Sequence, residues 1–234
     1  MSIKIDLKIF LFLFLFVITS QVEIYITLMI FAIIHELGHL LMGLILGFKT
    51  EEIKLSPVGL QIKFKVNSEE YNIQINKGNS LCIKRAIIAL AGPITNLAIA
   101  VIVIILGKIN MNLQNTYIYQ ILIYSNFLIA MFNLIPIYPM DGGRVLNEII
   151  RLFCGNKVAY KITYIVSKTV LIVLTAISSI VILYIHNISI VIILAYLWYL
   201  EIMEIRRYNR RKNINKLVKD IEEKNDKKIL EKSI

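Results

Sequence analysis

Apolar segments long enough to cross a lipid bilayer recur along this chain, and no other feature of the sequence constrains its fold as strongly. A helix needs about 20 predominantly apolar residues to span the hydrocarbon core of a membrane. Hydrophobic residues make up 57% of the 234 positions. We therefore predict an all-α polytopic membrane protein with about six transmembrane helices, over residues 7–22, 24–47, 86–107, 117–135, 162–185 and 188–204.

Basic residues alternate between the predicted loops in the way that sets membrane orientation. The net charge is +10, and the eleven basic and five acidic residues after Glu204 supply +6 of it. Loops 48–85 and 136–161 are also basic, whereas loop 108–116 contains only Lys108. The positive-inside rule therefore places both termini in the cytoplasm. Because the basic residues follow long apolar segments, we expect contact with lipid headgroups and not with nucleic acid.

Two shorter patterns lie outside the predicted helices. Residues 60–66 and 71–76 alternate apolar and polar side chains around a turn at 67–70. This pattern predicts a small membrane-associated β-hairpin between helices 2 and 3. Its edge would accept an extended peptide as a further strand, although a hairpin that only packs on the helices explains the pattern equally well. Residues 205–234 predict a basic amphipathic cytoplasmic tail, or alternatively a solvated tail.

The second apolar segment carries three ionisable residues in its middle. His35, Glu36 and His39 form the pattern HELGH there, and a charged group at the centre of a membrane helix costs roughly 2.5–3.5 kcal/mol on a translocon-type scale. His35 and His39 are four residues apart, so they lie on one face of a helix and can bind one Zn²⁺ ion. Glu36 is then placed to activate a water as general base. A hydrated cluster at the membrane edge is the alternative explanation.

A catalytic zinc needs a third protein ligand and one open position. Asp141 is the best-placed candidate, because it follows a segment with two prolines and precedes two glycines. Non-helical backbone at membrane depth is tolerated only where it is buried or lines a wet cavity, so we expect the segment to present Asp141 to the metal. An N-cap role before a helix over 144–153 fits the same pattern. Candidates that are less well placed are His186, Glu201 and Glu204.

Taken together, these motifs resemble those of the site-2 protease family of intramembrane zinc metalloproteases, peptidase family M50. The resemblance covers about residues 28–155 and is carried by HELGH, by Ala91-Gly92-Pro93 with Asn96, and by the N-x-x-P-x-x-P-x-D-G-G run that begins at Asn133. The chain is most similar to the bacterial sporulation branch, here without a CBS domain. That branch processes the membrane-associated precursor of a sporulation sigma factor.

The resemblance implies a membrane metalloprotease domain over residues 1–204, with its catalytic core at about 28–155, followed by the tail. It also implies the roles of five residues: zinc binding by His35, His39 and Asp141, water activation by Glu36, and contact with the substrate or the oxyanion by Asn133. A local backbone hydrogen bond is the alternative for Asn133, and Asn96 is expected to tie helices together. The implied partners are a membrane-associated protein substrate such as a sigma-factor precursor, the lipid bilayer of a bacterial cytoplasmic-type membrane, and membrane inhibitory proteins.

Two other functions would use the same residues. A zinc or iron transporter would use the ligands as a transit site, but the predicted outer loops offer few further ligands beyond His186. A catalytically inactive scaffold would sequester membrane proteins and would not need the complete set of His35, Glu36, His39 and Asp141. A Glu36→Gln variant separates the three functions, because only the protease needs the general base.

Overall fold

The structure, a computed structural model, describes residues 2–5, 22–56, 59–65, 75–110, 114, 116–185, 191, 194–206 and 209–210. Its elements in chain order are β1 (Ser2–Ile5), α1 (Val22–Ile45), β2 (Lys49–Ser56), β3 (Gly59–Lys65), α2 (Ile75–Ile109), α3 (Tyr117–Leu134) and α4 (Asp141–Ile185). The chain divides into two compact units, Met1–Val166 and Ser167–Ile234. HELGH and the segment around Asp141 both belong to the first unit.

Among the described residues, four helices are long and apolar enough to cross a membrane: Tyr25–Ile45, Asn79–Ile109, Tyr117–Leu134 and Asp141–Val181. They correspond to the predicted helices 2 to 5. Large aliphatic side chains such as Ile102, Ile105 and Leu128 are exposed along them, as expected of surfaces that face lipid. Six spans are not confirmed, because predicted helix 1 lies outside the described residues except for Val22, and helix 6 is described only in part, as helix over 194–206. The amphipathic part of the tail also lies outside them.

Two helices that the sequence predicts separately follow each other in the structure without a loop between them. α4 begins at Asp141 and runs to Ile185, so it includes both the predicted short helix 144–153 and the predicted helix 162–185. Gly155 lies inside it with φ 78° and ψ 170°, where the two helical parts meet at a kink. Only glycine adopts these angles readily, which explains how the chain changes direction without a loop.

The β-hairpin forms earlier in the chain than predicted. β2 and β3 pair antiparallel, from Lys49 opposite Lys65 to Ser56 opposite Gly59. β1 pairs in parallel with β2, which gives the strand order β1-β2-β3.

The predicted pairing of 60–66 with 71–76 is therefore not confirmed. Gly59–Lys65 is a strand as expected, but α2 already begins at Ile75, and residues 71–74 lie outside the described part of the chain. The actual partner of β3 is β2, which the alternation pattern did not predict. A bulge between Thr50 and Glu52 changes the phase of the alternation that a regular strand shows.

The glycines of α1 determine what packs on it. A Cβ on Gly38 would lie 3.1 Å from the Ala91 carbonyl of α2, so the missing side chain allows the two helices to approach closely. Gly43 instead faces the ring of Phe64 from β3. Gly47 has φ 84° and ends α1 in a Schellman motif, in which its N–H donates to Leu44 and the next N–H donates to Gly43.

Candidate metal centre

The structure brings the three predicted metal ligands together. α1 supplies His35 and His39 from successive turns, and the first turn of α4 supplies Asp141. Asp141 Oδ2 lies 2.9 Å from His35 Nε2 and 3.1 Å from His39 Nε2, and the two Nε2 atoms are 3.2 Å apart. All three side chains are buried. Among the described residues, this is the group of His, Cys, Asp and Glu side chains whose geometry can hold a metal ion.

The other nitrogen of each histidine ring determines what these atoms can do. His39 Nδ1 lies 2.7 Å from the Ile88 backbone carbonyl, and His35 Nδ1 lies 3.0 Å from Asn96 Oδ1. A carbonyl oxygen only accepts hydrogen bonds, so each Nδ1 must carry a hydrogen. A neutral imidazole then has a lone pair on Nε2. Two such lone pairs and a carboxylate oxygen therefore face one another, an arrangement that a bound cation makes favourable and that suits zinc.

Gly92 of α2 leaves the space in which an ion fits. A Cβ on Gly92 would lie 2.6 Å from His35 Nε2 and closer still to His39 Nε2. Any larger residue would therefore occupy the point where the ligand atoms converge. The sequence drew attention to Gly92 only as part of the Ala-Gly-Pro motif, and nothing local in it indicates contact with residues more than 50 positions away.

The segment between α3 and α4 turns Asp141 towards the histidines. Its backbone is held by turn hydrogen bonds, in which the N–H of Ile137 donates to Ile135 and that of Met140 donates to Ile137. Ile137 is fully buried, and the Tyr138-Pro139 peptide bond is cis. The segment is thus non-helical backbone that is partly buried and held by its own turn hydrogen bonds, as backbone at membrane depth requires.

Asp141 is the first residue of α4 and not its N-cap. The Met140 carbonyl accepts the first helical hydrogen bond, from Arg144 N, so Met140 occupies the cap position. The Asp141 carboxylate lies at the positive end of the helix dipole, and its Oδ1 is 3.5 Å from Arg144 Nη1. The sequence left ligand and N-cap open as roles for Asp141, and the cap geometry removes the second.

A cavity of about 250 Å³ adjoins the ligands. Glu36 and His39 line it from α1, together with Phe48, Phe64, Tyr138 and Arg144. Because the Glu36 side chain is only half-buried and reaches this cavity, its carboxylate can meet a water there. That is the position which a general base next to the ligands requires.

The remaining predicted residues lie elsewhere or have other contacts. Asn133 Nδ2 donates to the Ile129 carbonyl at 2.9 Å, which is the local backbone bond that the sequence left as its alternative. Glu201 is buried within the second unit, and His186 lies outside the described residues. One residue that sequence reasoning missed is Asn126, which is fully buried in α3 and hydrogen-bonded to Asn96.

Comparison with known proteins agrees with this geometry. Residues 23–115 and 108–177 match the family model of peptidase family M50. The chain is 27% identical over 152 residues to a zinc metalloprotease of Methanocaldococcus jannaschii, covering 64% of this chain and 41% of that protein. It is 25% identical over 128 residues to stage IV sporulation protein FB of Bacillus subtilis, covering 55% of this chain and 40% of that protein. The chain thus spans about two fifths of the length of these curated relatives.

A solved structure has the same fold. The site-2 protease from Methanocaldococcus jannaschii matches with a TM-score of 0.60 and 24% identity, over 86% of this chain and 89% of that one. At this identity the likeness concerns the arrangement of the chain and not the chemistry of its site.

Proposed function

The chain belongs to peptidase family M50, and from that premise we propose that it is an intramembrane zinc metalloprotease. It hydrolyses a peptide bond in or near a transmembrane or membrane-associated segment of a protein substrate. One observation carries the proposal: His35 Nε2, His39 Nε2 and Asp141 Oδ2 lie within 3.2 Å of one another, while both Nδ1 atoms donate to carbonyl oxygens. The name of the Methanocaldococcus jannaschii relative supports zinc as the metal.

The residues of the site divide the work of hydrolysis. His35, His39 and Asp141 would hold the zinc, which would supply a Lewis acid that activates water and polarises the scissile carbonyl. Glu36 takes the proton from the attacking water and later delivers it to the leaving amine. The half-buried rings of Phe48 and Phe64 give the cavity beside the ligands an apolar wall. For Asn133, whose observed bond is local, we propose that the second N–H of its amide donates to the oxyanion, the role that the resemblance implies.

The substrate reaches the site in extended form. A helical substrate has its carbonyls bonded and its backbone shielded, so it must unwind before it reacts. In the strand order β1-β2-β3, β3 lies at one edge of the sheet, and Phe64 of β3 lines the cavity. An unwound segment that adds to this edge is brought to Glu36 and His39. Because the hairpin belongs to the basic loop that the sequence places in the cytoplasm, cleavage occurs near the cytoplasmic face.

The finer proposal is that the substrate is a membrane-associated sigma-factor precursor. The resemblance to the sporulation branch motivates it, and the likeness to stage IV sporulation protein FB supports it. Coexpression with a tagged sigma-factor precursor from a sporulating bacterium tests this part alone. A processed product that appears with the wild-type chain and not with Glu36→Gln agrees with it. No product, from a chain that cleaves other membrane proteins, shows that the substrate is of another class.

The general proposal is tested with Glu36→Gln and a matched control. Both chains are expressed in cells, and new protein N-termini released from membrane proteins are identified by mass spectrometry. We expect a set of fragments with the wild type that Glu36→Gln does not produce, because general base catalysis contributes roughly 10²–10⁴-fold. Glu23→Gln changes an exposed residue in the first turn of the same helix and should leave the fragments unchanged.

The same experiment separates the two rival functions. Equal fragments from the wild type and Glu36→Gln would contradict the protease. A transporter would take up zinc or iron into vesicles. Glu36→Gln would leave this uptake unchanged and His39→Ala would abolish it, since transit needs ligands but no general base. Membrane proteins that copurify equally with both chains, without new fragments, would identify a scaffold.

A further inference from the structure

We propose that Asn126 and Asn96 form a hydrogen-bond relay that fixes the tautomer of His35, which makes Asn126 a positioning residue two hydrogen bonds away from a zinc ligand. The inference rests on the proposed function in one respect, that His35 binds the metal. It goes beyond it because it assigns a role to two buried amides that contribute no ligand atom.

The relay begins at a group that can only accept. Asn126 Nδ2 donates to the Leu122 backbone carbonyl at 2.8 Å. A carbonyl oxygen carries no hydrogen, so the amide of Asn126 cannot turn its oxygen towards Leu122 without placing two acceptors against each other. This contact fixes the orientation of the Asn126 amide: Nδ2 faces the Leu122 carbonyl, and Oδ1 therefore points towards Asn96.

The orientation of Asn126 then fixes that of Asn96. Asn96 Nδ2 donates to Asn126 Oδ1 at 3.1 Å, and the same nitrogen lies 3.5 Å from the Phe31 backbone carbonyl of α1. Both neighbours are acceptors, so Asn96 keeps its nitrogen on this side. Both amides are completely buried, where water cannot replace a lost partner and a buried polar group must be hydrogen-bonded by the protein.

The last step reaches the histidine. Because Asn96 Nδ2 is hydrogen-bonded to Asn126, Asn96 Oδ1 faces His35 Nδ1 at 3.0 Å. An amide oxygen only accepts, so Nδ1 must carry the hydrogen, and the lone pair of the ring lies on Nε2, which faces His39 and Asp141. The opposite tautomer would place a hydrogen between the three ligand atoms and would block the metal.

The two histidines differ in how this is achieved. The Nδ1 atom of His39 is held by the backbone carbonyl of Ile88, which no side-chain substitution removes. His35 depends on side chains from α2 and α3. The structure therefore predicts that zinc affinity is sensitive to a substitution in α3, at a residue without a ligand atom, and that this sensitivity acts through His35 alone.

The test measures zinc affinity of the full-length chain in detergent, by competition with a chromophoric chelator, together with the absorption spectrum of the Co²⁺-substituted protein. Asn126→Leu removes both hydrogen bonds with an apolar side chain of the same branched shape and frees Asn96 to turn. We expect zinc binding to weaken about 10- to 100-fold, the range typical of residues that orient a metal-bound histidine, and the Co²⁺ spectrum to change.

A second substitution separates the relay from a simple tie between helices. Asn96→Asp offers His35 an acceptor whichever way its carboxylate turns, so it no longer depends on Asn126. The double variant Asn126→Leu with Asn96→Asp should therefore recover most of the zinc affinity that Asn126→Leu loses. A structural tie would not be rescued, because the carboxylate makes no bond to a leucine and adds a buried charge.

Controls keep the outcomes distinct. Thr163→Val removes another buried hydrogen bond, from Asn147 Nδ2 at 3.1 Å, and should leave zinc affinity unchanged. Unchanged zinc affinity in Asn126→Leu, or no recovery of zinc affinity in the double variant, overturns the relay. Zinc binding by the wild type in the same experiment would still agree with the proposed function. A wild type that binds no more zinc than His39→Ala overturns both. If Asn126→Leu does not fold, Asn126→Ala removes the same bonds without added bulk and is judged by the same affinities.

Discussion

Gly92 determines the size of the proposed zinc site more directly than any ligand does. The ligand atoms lie where a Cβ on this residue would be, 2.6 Å from His35 Nε2. Their convergence therefore depends on a side chain that is missing. The residue is buried in α2, and the close packing of α1 at Gly38 leaves the helix little freedom to move away.

We expect Gly92→Ala to lose zinc and at least about 100-fold in proteolytic activity, because a displacement of about 1 Å in a catalytic group costs that much. Zinc per chain is measured by atomic absorption on detergent-purified protein, and activity on a substrate from the fragment analysis. Gly107→Ala is the matched control in α2: its Cβ also meets a neighbour, but that neighbour is the movable Tyr119 ring of α3. A Gly92→Ala chain that keeps one zinc and full activity would contradict this geometry.

Asn133→Ala tests the one predicted site residue whose observed contact is local. If the free N–H of its amide meets the oxyanion, kcat falls about 10²–10³-fold while KM and zinc content stay the same. If the bond to Ile129 is its whole function, kcat changes less than threefold. Gln120→Ala, exposed at the other end of α3, controls for a general effect on the helix. Steady-state kinetics on a cleaved peptide segment decide between the two results.

Sequence reasoning identified residues whose role follows from local spacing and failed where it depends on distant contacts. His35 and His39 could be paired because a four-residue separation places two side chains on one helix face. Asp141 could be proposed because helix-breaking residues surround it. Gly92 and Asn126 could not be assigned roles from the sequence. Their roles depend on contacts with other helices, which local spacing does not indicate.

At the scale of elements, the start of α4 positions the third ligand. Gly142 and Gly143 lie directly on the backbone of the preceding segment: a Cβ on Gly142 would lie 2.7 Å from the Ile135 carbonyl and closer to that of Leu134. Backbone atoms cannot turn aside as a side chain can. The first turn of α4 therefore holds Asp141 against the histidines only because it begins with two residues that lack side chains.

Two glycine substitutions in α4 should separate positioning from stability. Gly142→Ala moves the first turn and should reduce zinc content below half an ion per chain. Gly155→Ala meets no neighbour but forces alanine to φ 78°, which costs about 1–3 kcal/mol. We expect it to lower the Tm in detergent while zinc content stays at one per chain. Zinc loss in both variants, or in neither, would show that the beginning of α4 has no special part in holding the ligand.

The apolar pattern of the sequence predicts the boundaries of some helices and strands well and those of others poorly. Helices α1 and α3 end within two residues of their predicted limits, since continuous apolar runs define a membrane helix well. α2 begins at Ile75, eleven residues before the predicted start, because its first turns are polar and lie outside the apolar run. β2 escaped detection because Glu51 and Glu52 disturb its alternation at the bulge.

For the whole molecule, the remaining question is how the helices cross the membrane. Loop 48–85 contains seven Lys and Arg residues, whereas loop 108–116 contains one, and the positive-inside rule places the first loop in the cytoplasm. In the structure, the β2–β3 hairpin belongs to that basic loop, which follows the C-terminal end of α1, and Asn110 follows the C-terminal end of α2. The cavity beside Glu36 includes Phe48 and Phe64 of the same loop, so orientation also decides from which side a substrate arrives.

Alkaline phosphatase and green fluorescent protein fusions test this orientation, because the first is active only outside the cytoplasm and the second fluoresces only inside it. We expect fusions after Glu51 and at the C-terminus to fluoresce without phosphatase activity, and a fusion after Asn110 to show the reverse. Six spans further require phosphatase activity after Asn187. Phosphatase activity after Glu51 would place the hairpin outside and would exclude substrates that approach from the cytoplasm. If the C-terminal fusion fluoresces and the fusion after Asn187 shows no phosphatase activity, fewer spans follow α3 than predicted. The metal centre would be unchanged in that case, because all its ligands precede Gly142.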